Sequence, residues 1–294
     1  MCDCQLSKPA RGWCSRRGLV AALIAGGVLS ISSIRSTAAP VDETEPATKT
    51  PATTDVDTAL DKEAALVARD VKLAVTVGGK EDPLELVDKP ILKYGDITRD
   101  NDHGSVWIWQ REGRPQAIME LYRGAGKKFW VFVMHSLAAQ PIKGNLGVGG
   151  SPWTPRESGM QWADFSQAPA PADRDAARLR QLKDLAQRFS AHEFWDPNNS
   201  RFELRLLVQP AYKYSIRGSR ELDGAVFLLC HENNPEVVLQ IEAVRTGDAE
   251  PKFQYALARL GHAELHVALD GREVWKQSRI TTMSPLDPYF LVVK

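Results

Sequence analysis

The sequence predicts an α+β protein of two repeated units, each a helix plus a curved antiparallel β-meander, packed with pseudo-twofold symmetry. The first observation is that residues 83–122 return, without a gap, as 203–242. Leu84, Leu86, Pro90, Lys93, Tyr94, Gly104, Val106, Glu112 and Pro115 fall on Leu204, Leu206, Pro210, Lys213, Tyr214, Gly224, Val226, Glu232 and Pro235. Self-similarity at a long fixed period marks a copied structural unit. Second, a helix-forming segment precedes each stretch. Third, Val106-Trp107-Ile108-Trp109 and Val226-Phe227-Leu228-Leu229 have no polar face, so each strand must be covered on both sides, by its own helix and by the other unit.

The elements follow in chain order. Residues 1–38 read as an export leader: Lys8, Arg11, Arg16 and Arg17 precede a seventeen-residue apolar stretch from Gly18 to Ile34, with Ser36 and Ala38 placed for cleavage after Ala38. Ser15-Arg16-Arg17-Gly18-Leu19-Val20 resembles a twin-arginine signal, with an ordinary secretory signal and an uncleaved membrane anchor as the alternatives. Residues 39–58, rich in Pro, Thr and acids, read as a disordered linker.

The first unit spans 59–153. It opens with a helix in 59–74, passes into a strand at 75–77, and continues with strands at 105–110, 116–122 and 129–134 around the turn Glu112-Gly113-Arg114-Pro115. Residues 154–172 are a connecting loop. The second unit, 173–278, begins with a helix over 173–191, its N-cap supplied by Asp173. Strands near 202–208, 225–230, 236–244, 253–259, 263–269 and 274–276 follow. The self-match resumes at Phe129 over Phe253, an offset of 124, and ends at Trp153 over Trp275, an offset of 122. The tail 279–294 has no counterpart in the first unit.

Cys2, Cys4 and Cys14 lie in the leader, so the mature chain keeps only Cys230 and forms no intramolecular disulfide. After the leader, 32 basic and 36 acidic residues remain. Without a basic stripe, neither nucleic acid nor an anionic membrane surface is an indicated partner; membrane contact is expected only through an uncleaved leader.

Candidate chemistry is sparse. In Cys230-His231-Glu232, neighbouring strand side chains point to opposite faces, which separates the thiol from the imidazole and makes Cys230 a buried apolar residue. Asp100-Asn101-Asp102-His103-Gly104 suggests a calcium loop, but Arg111 stands where the closing glutamate belongs, and a turn leading into Gly104 fits better. His103, His135, His192, His231, His262 and His266 have no metal-ligand spacing, and His262 and His266 could meet only on a helix, whereas Glu264 to Leu269 reads as a strand. No phosphate-cradling loop is present. The acids Glu112, Glu120, Glu221 and Asp223 have no special spacing and read as solvated charge. No catalytic, cofactor-binding or metal-ligating residue is therefore assigned. Trp153 and Trp162, in the Pro/Gly-rich join, are the possible ligand contacts, since such rings stack on sugars or peptides, with packing over the sheet edge as the favoured alternative.

Gly113-Arg114-Pro115, Trp153-Thr154-Pro155, the 169–173 segment leading into Arg178-Leu179-Arg180-Gln181, Glu203 to Leu207 with Gln209-Pro210, Leu222-Asp223-Gly224-Ala225, Pro235-Glu236 and Tyr255 to Arg259 resemble a family of uncharacterised exported proteins of planctomycete bacteria. The resemblance covers roughly 84–275 and implies an exported protein of this architecture, without implying an activity. The expectation is thus an exported, periplasmic or extracellular binding or structural module that is not an enzyme and needs no cofactor. The alternative is a hydrolase or cofactor-dependent enzyme carried by the twin-arginine route.

Overall fold

The computed structural model describes residues 53–96, 99, 101–147, 150–215, 223–245 and 249–294. The leader and the linker as far as Ala52 lie outside the described residues. Helix α1 (Thr53–Asp70) begins inside the segment expected to be a tether.

In the first half, α1 leads into β1 (Lys72–Val77), β2 (Lys80–Pro83), β3 (Glu85–Leu86), β4 (Leu92–Asp96), β5 (Asn101–Arg111), β6 (Arg114–Gly124), β7 (Val131–Ser136), β8 (Ile142–Asn145) and β9 (Pro152–Trp153). After β10 (Trp162–Asp164), α2 (Asp175–Ala186) opens the second half. It continues through β11 (Phe189–Phe194), β12 (Phe202–Leu206), β13 (Tyr212–Tyr214), β14 (Asp223–His231), β15 (Asn234–Val244), β16 (Lys252–Arg259), β17 (Glu264–Leu269) and β18 (Arg272–Gln277), and the tail adds β19 (Tyr289–Val293). Among the described residues all strand pairing is antiparallel, with two helices against the sheets, which makes the protein α+β.

Pairings in the two halves recur at fixed offsets. Gly104 faces Tyr94 and Tyr122; Gly224 faces Tyr214 and Glu242. The β5–β6 register slips between Trp109 and Gln110, and the β14–β15 register slips between Leu229 and Cys230. Glu112 and Glu232 both take a positive φ of 52° at the hairpin tips. For the third strand, Met119 pairs with Met134 and Leu239 with Leu257, which fixes the offset at 123, not 124. The aromatic pair Phe129 and Phe253 was the misleading cue: Phe129 precedes β7, whereas Phe253 lies within β16.

The halves differ where one strand meets another. β12 pairs with both β11 and β14, so nine strands form one curled sheet. In the first half, β2 and β3 divide that work, and the strands fall into a four-stranded and a six-stranded sheet. Pro83, which has no N–H to give a ladder, ends β2.

Three expectations are corrected. The second helix stops at Ala186, and Phe189 to Ala191, expected to be helical, belong to β11; Phe189 and Ala191 are buried and Ser190 exposed between them, a two-residue period. Its N-cap is Arg174, without a side-chain cap, and not Asp173. The loop and the tail both contain strands: β10 pairs with β16, and β19 pairs with β7. Each half therefore receives an edge strand from the segment that trails the other half.

Among the described residues, three large apolar clusters and a small one at Val131, Val133 and Tyr289 fill the body. Trp107, Trp109, Met119 and Leu121 pack with Ala64 and Ala68 of α1, and Phe227, Leu229, Leu239 and Ile241 pack with Leu182 and Leu185 of α2. Between the halves, Val106, Ile108 and Ile118 meet Val226, Leu228 and Val238. Strands β5 and β14 are thus covered on both faces. Truncating a buried Trp such as Trp107 would cost about 3–5 kcal/mol.

Candidate functional site

At one end of the inter-half interface, the strands bring together four acids. Asp96 ends β4, Glu120 lies in β6, Glu193 in β11 and Glu236 in β15, all buried. Arg99, just past β4, donates to Glu193 Oε1 at 2.6 Å and to Glu236 Oε1. Its guanidinium lies 4.8 Å over the ring of Trp195. Tyr94 donates to Glu120, His231 Nδ1 sits 2.8 Å from Glu193 Oε1, and Asn234 Nδ2 donates to Glu236 Oε1 at 3.1 Å.

One guanidinium does not neutralise four carboxylates. Arg259 is nearby, but its side chain donates to the carbonyls of Gly261, Ser278 and Ala263. Burial penalises the remaining charge. It raises Glu120 to about 8 against the opposing hydrogen bond from Tyr94, and raises Glu236 to about 8 against Arg99, with Glu193 adding to the rise. Burial also raises Glu193, again against Arg99. His231 and His262 are held below the usual histidine range, by burial first and then by Arg99.

A cavity of about 390 Å³ opens over this cluster, lined by Arg99, Glu120, Trp195, Asn234, Glu236 and Tyr289 among others. Glu236 Oε2, Asn234 Oδ1, Trp195 Nε1 and Tyr289 Oη are buried without a hydrogen-bond partner. Gly261 makes room for the carboxylate, because a Cβ there would overlap Glu236 Oε2.

The opposite end of the interface is closed. Arg114 forks onto Glu242 with bonds of 2.8 and 2.7 Å, Tyr214 Oη donates to Glu242 at 2.6 Å, and Gln240 Nε2 donates to Tyr214 Oη at 2.5 Å. Trp162 lies under the Arg114 guanidinium at 5.3 Å. A second cavity, of about 630 Å³, is lined by His135, Arg259, Trp275 and Tyr289 among others; burial lowers His135 to about 4, so it is neutral there.

The structure separates the two tryptophans. Trp153 is fully buried and donates to the Asp287 carbonyl at 3.1 Å, whereas Trp162 is half-buried on the edge strand β10. Glu120 and Asp223, read as solvated, are buried: β6 is covered on both faces, and Asp223 accepts from Arg178 Nε at 2.7 Å. Glu112 is exposed, and Glu221 lies outside the described residues. Cys230 is fully buried and burial pushes its thiol up to about 12, while His231 turns to Glu193. Asn101 to Gly104 belong to β5 and not to a turn, and Asp100 lies outside the described residues. Among the described residues, no group of three or more His, Cys, Asp or Glu is arranged to hold a metal ion. No family model, curated protein or solved structure matches the chain.

Neither Arg99 nor the four acids was assigned from sequence. The available signal was a lone carboxylate inside an apolar strand, as in Ala117-Ile118-Met119-Glu120-Leu121 and Pro235-Glu236-Val237-Val238, since a charge there has no solvent to face.

Proposed function

We propose that this chain is an exported, non-enzymatic binding module made from one ancestral unit copied and packed on itself with pseudo-twofold symmetry. The recurring offsets support the copying, and the leader supports export to the periplasm or beyond. The binding reading rests on the cavity over Glu120 and Glu236. It holds five buried polar atoms without a hydrogen-bond partner, on Arg99, Trp195, Asn234, Glu236 and Tyr289, and small-molecule sites are concavities with a few convergent polar groups. The residues of such a site are unlike in the two halves. Gln116 and Gln240 stand where the other half has Glu236 and Glu120, so the copied scaffold is shared and the site is not.

The test is thermal unfolding of the purified mature protein against small molecules of cationic, neutral and anionic classes, repeated on Ala263→Leu, which narrows the cavity. The expected result is stabilisation by at least one class that is lost in the variant. Stabilisation by none of them, or full retention in the variant, overturns the reading.

One observation favours a second reading. Two carboxyls held near 8 beside a cavity are the kind of groups that act as general acids. Turnover on a hydrolase panel, abolished by Glu120→Gln or Glu236→Gln, would establish the enzyme.

A further inference from the structure

Of the buried atoms around the 390 Å³ cavity that lack a hydrogen-bond partner, two only accept once Glu236 is ionised, the Tyr289 hydroxyl can do either, and Trp195 Nε1 and Arg99 Nε donate. Glu236 Oε2 and Asn234 Oδ1 are acceptors buried without a donor, and Asn234 and Glu236 are more than nine-tenths buried. Tyr289 Oη adds a third oxygen without a partner, again in a buried residue. The charge favours a cation: Asp96, Glu193 and Glu236 share Arg99, Glu120 receives its hydrogen bond from the neutral Tyr94, and Arg259 behind them donates to three carbonyls. Trp195 and Tyr122 line the same space, and aromatic faces attract cations. Arg99 already lies over Trp195.

Resting on the binding reading above, we propose that this cavity takes an organic cation, an alkylammonium or guanidinium group that donates to Glu236 and Asn234. An ammonium brings three donors and a guanidinium five, with no acceptor to be left unmet. A small metal ion fits less well, because the acids are already tied to Arg99, Tyr94 and Asn234.

Binding is linked to protons. The groups facing Glu120 and Glu236 are Tyr94, Asp96, Arg99, Tyr122, Glu193, Arg259 and Tyr289, with His231 and His262 neutral at the edge. Near pH 7 both carboxyls hold protons. An entering cation favours their ionised forms, so protons leave and affinity rises as pH climbs toward 8, while the ligand amine stays charged.

The experiment is calorimetric titration of the mature protein with putrescine, agmatine and guanidinium chloride at pH 6, 7 and 8, in buffers of differing ionisation enthalpy. At least one probe is expected to bind with proton release and with affinity increasing with pH. Glu236→Gln should weaken it roughly tenfold to a hundredfold, the range for losing one charged hydrogen bond. His262→Arg, at the cavity rim, places a tethered guanidinium beside the site and should also weaken the soluble cation without unfolding the protein. No binding by any of the three probes, pH-independent binding, or unchanged affinity in both variants overturns the proposal. If a neutral or anionic compound stabilises the protein while all three cations fail, the binding reading stands and the cation falls; if nothing binds, both fall.

Discussion

The two ends of the interface between the halves are built on the same strand positions and solve the same burial problem in opposite ways. At the closed end, Arg114 at the tip of the β5–β6 hairpin reaches Glu242 of β15, and one carboxylate meets one fork with Tyr214 alongside. At the open end, the residue equivalent to Arg114 is Asn234, the one equivalent to Gln116 is Glu236, and the one equivalent to Gln240 is Glu120. The open end thus has one cation fewer on the hairpin and two glutamates in place of glutamines, while Tyr122 stands where the closed end has Glu242. Arg99 restores part of the balance, and protons on Glu120 and Glu236 supply the rest. Matching strand registers can therefore carry a structural clamp at one end and unmet polar atoms beside a cavity at the other.

The largest effect expected is at the open end. Arg99→Met leaves Glu193 and Glu236 buried without their cation, and breaking such a group typically costs about 3–5 kcal/mol. Urea unfolding at pH 8 should show that loss, and at pH 5, where the stranded carboxyls take up protons, most of it should be absent. Arg114→Met should cost less, about 1–3 kcal/mol, because the Arg114 side chain is about one-third exposed and solvent screens the pair. Equal losses for the two variants at pH 8 would break the contrast between the ends.

What the ends share is tested at the glycines. Gly104 and Gly224 each lie under a tyrosine ring, Tyr94 and Tyr214, and a Cβ would overlap the ring in both halves. Gly104→Ala and Gly224→Ala should each cost about 1–3 kcal/mol, as overfilled cores do. A large loss at one position and none at the other would show that the matching registers hide different packing.

The pH dependence sharpens the comparison further. Glu120 and Glu236 sit near 8 in the folded protein, above their ordinary range. A carboxyl whose folded value is raised favours the fold below its unfolded value near 4.5, and that contribution is lost as pH rises toward 8. Glu120→Gln and Glu236→Gln should therefore flatten the decline between pH 5 and pH 8. Each should raise stability at pH 8 by about 1 kcal/mol, the worth of less than one pKa unit, read as a shift of roughly 2–4 °C in Tm. A variant as sensitive to pH as the parent would show that these carboxyls are not the source of the decline.

Much of this architecture was legible because it depends on local pattern. The offset of 120, the apolar faces of Val106-Trp107-Ile108-Trp109 and the hairpin turns reappear in the strand registers. The edge strands were not legible: Trp162 to Asp164 is too short for a period, and pairing of β19 with β7 depends on a partner more than 150 residues away. The site was hidden for a related reason. Arg99, Glu193 and Glu236 are far apart in the chain, and their convergence depends on how one half docks on the other. Trp162 was noticed for its ring, yet that ring carries Arg114 at the closed end.

The smallest effect expected is at the hairpin tips, where the two halves should behave alike. Glu112 and Glu232 hold φ at 52°, a left-handed conformation that costs most residues energy and asparagine less. Glu112→Asn and Glu232→Asn should each stabilise by about 0.5 kcal/mol, seen as a small rise in the urea midpoint without a change in slope. The gain arises within the turn, so it should be the same at a tip that presents Arg114 and at one that presents Asn234. If Glu232→Asn alone destabilised the protein, the second tip would be making contacts through Glu232 that the first does not, and the difference between the ends would begin at the turn and not at the strands behind it.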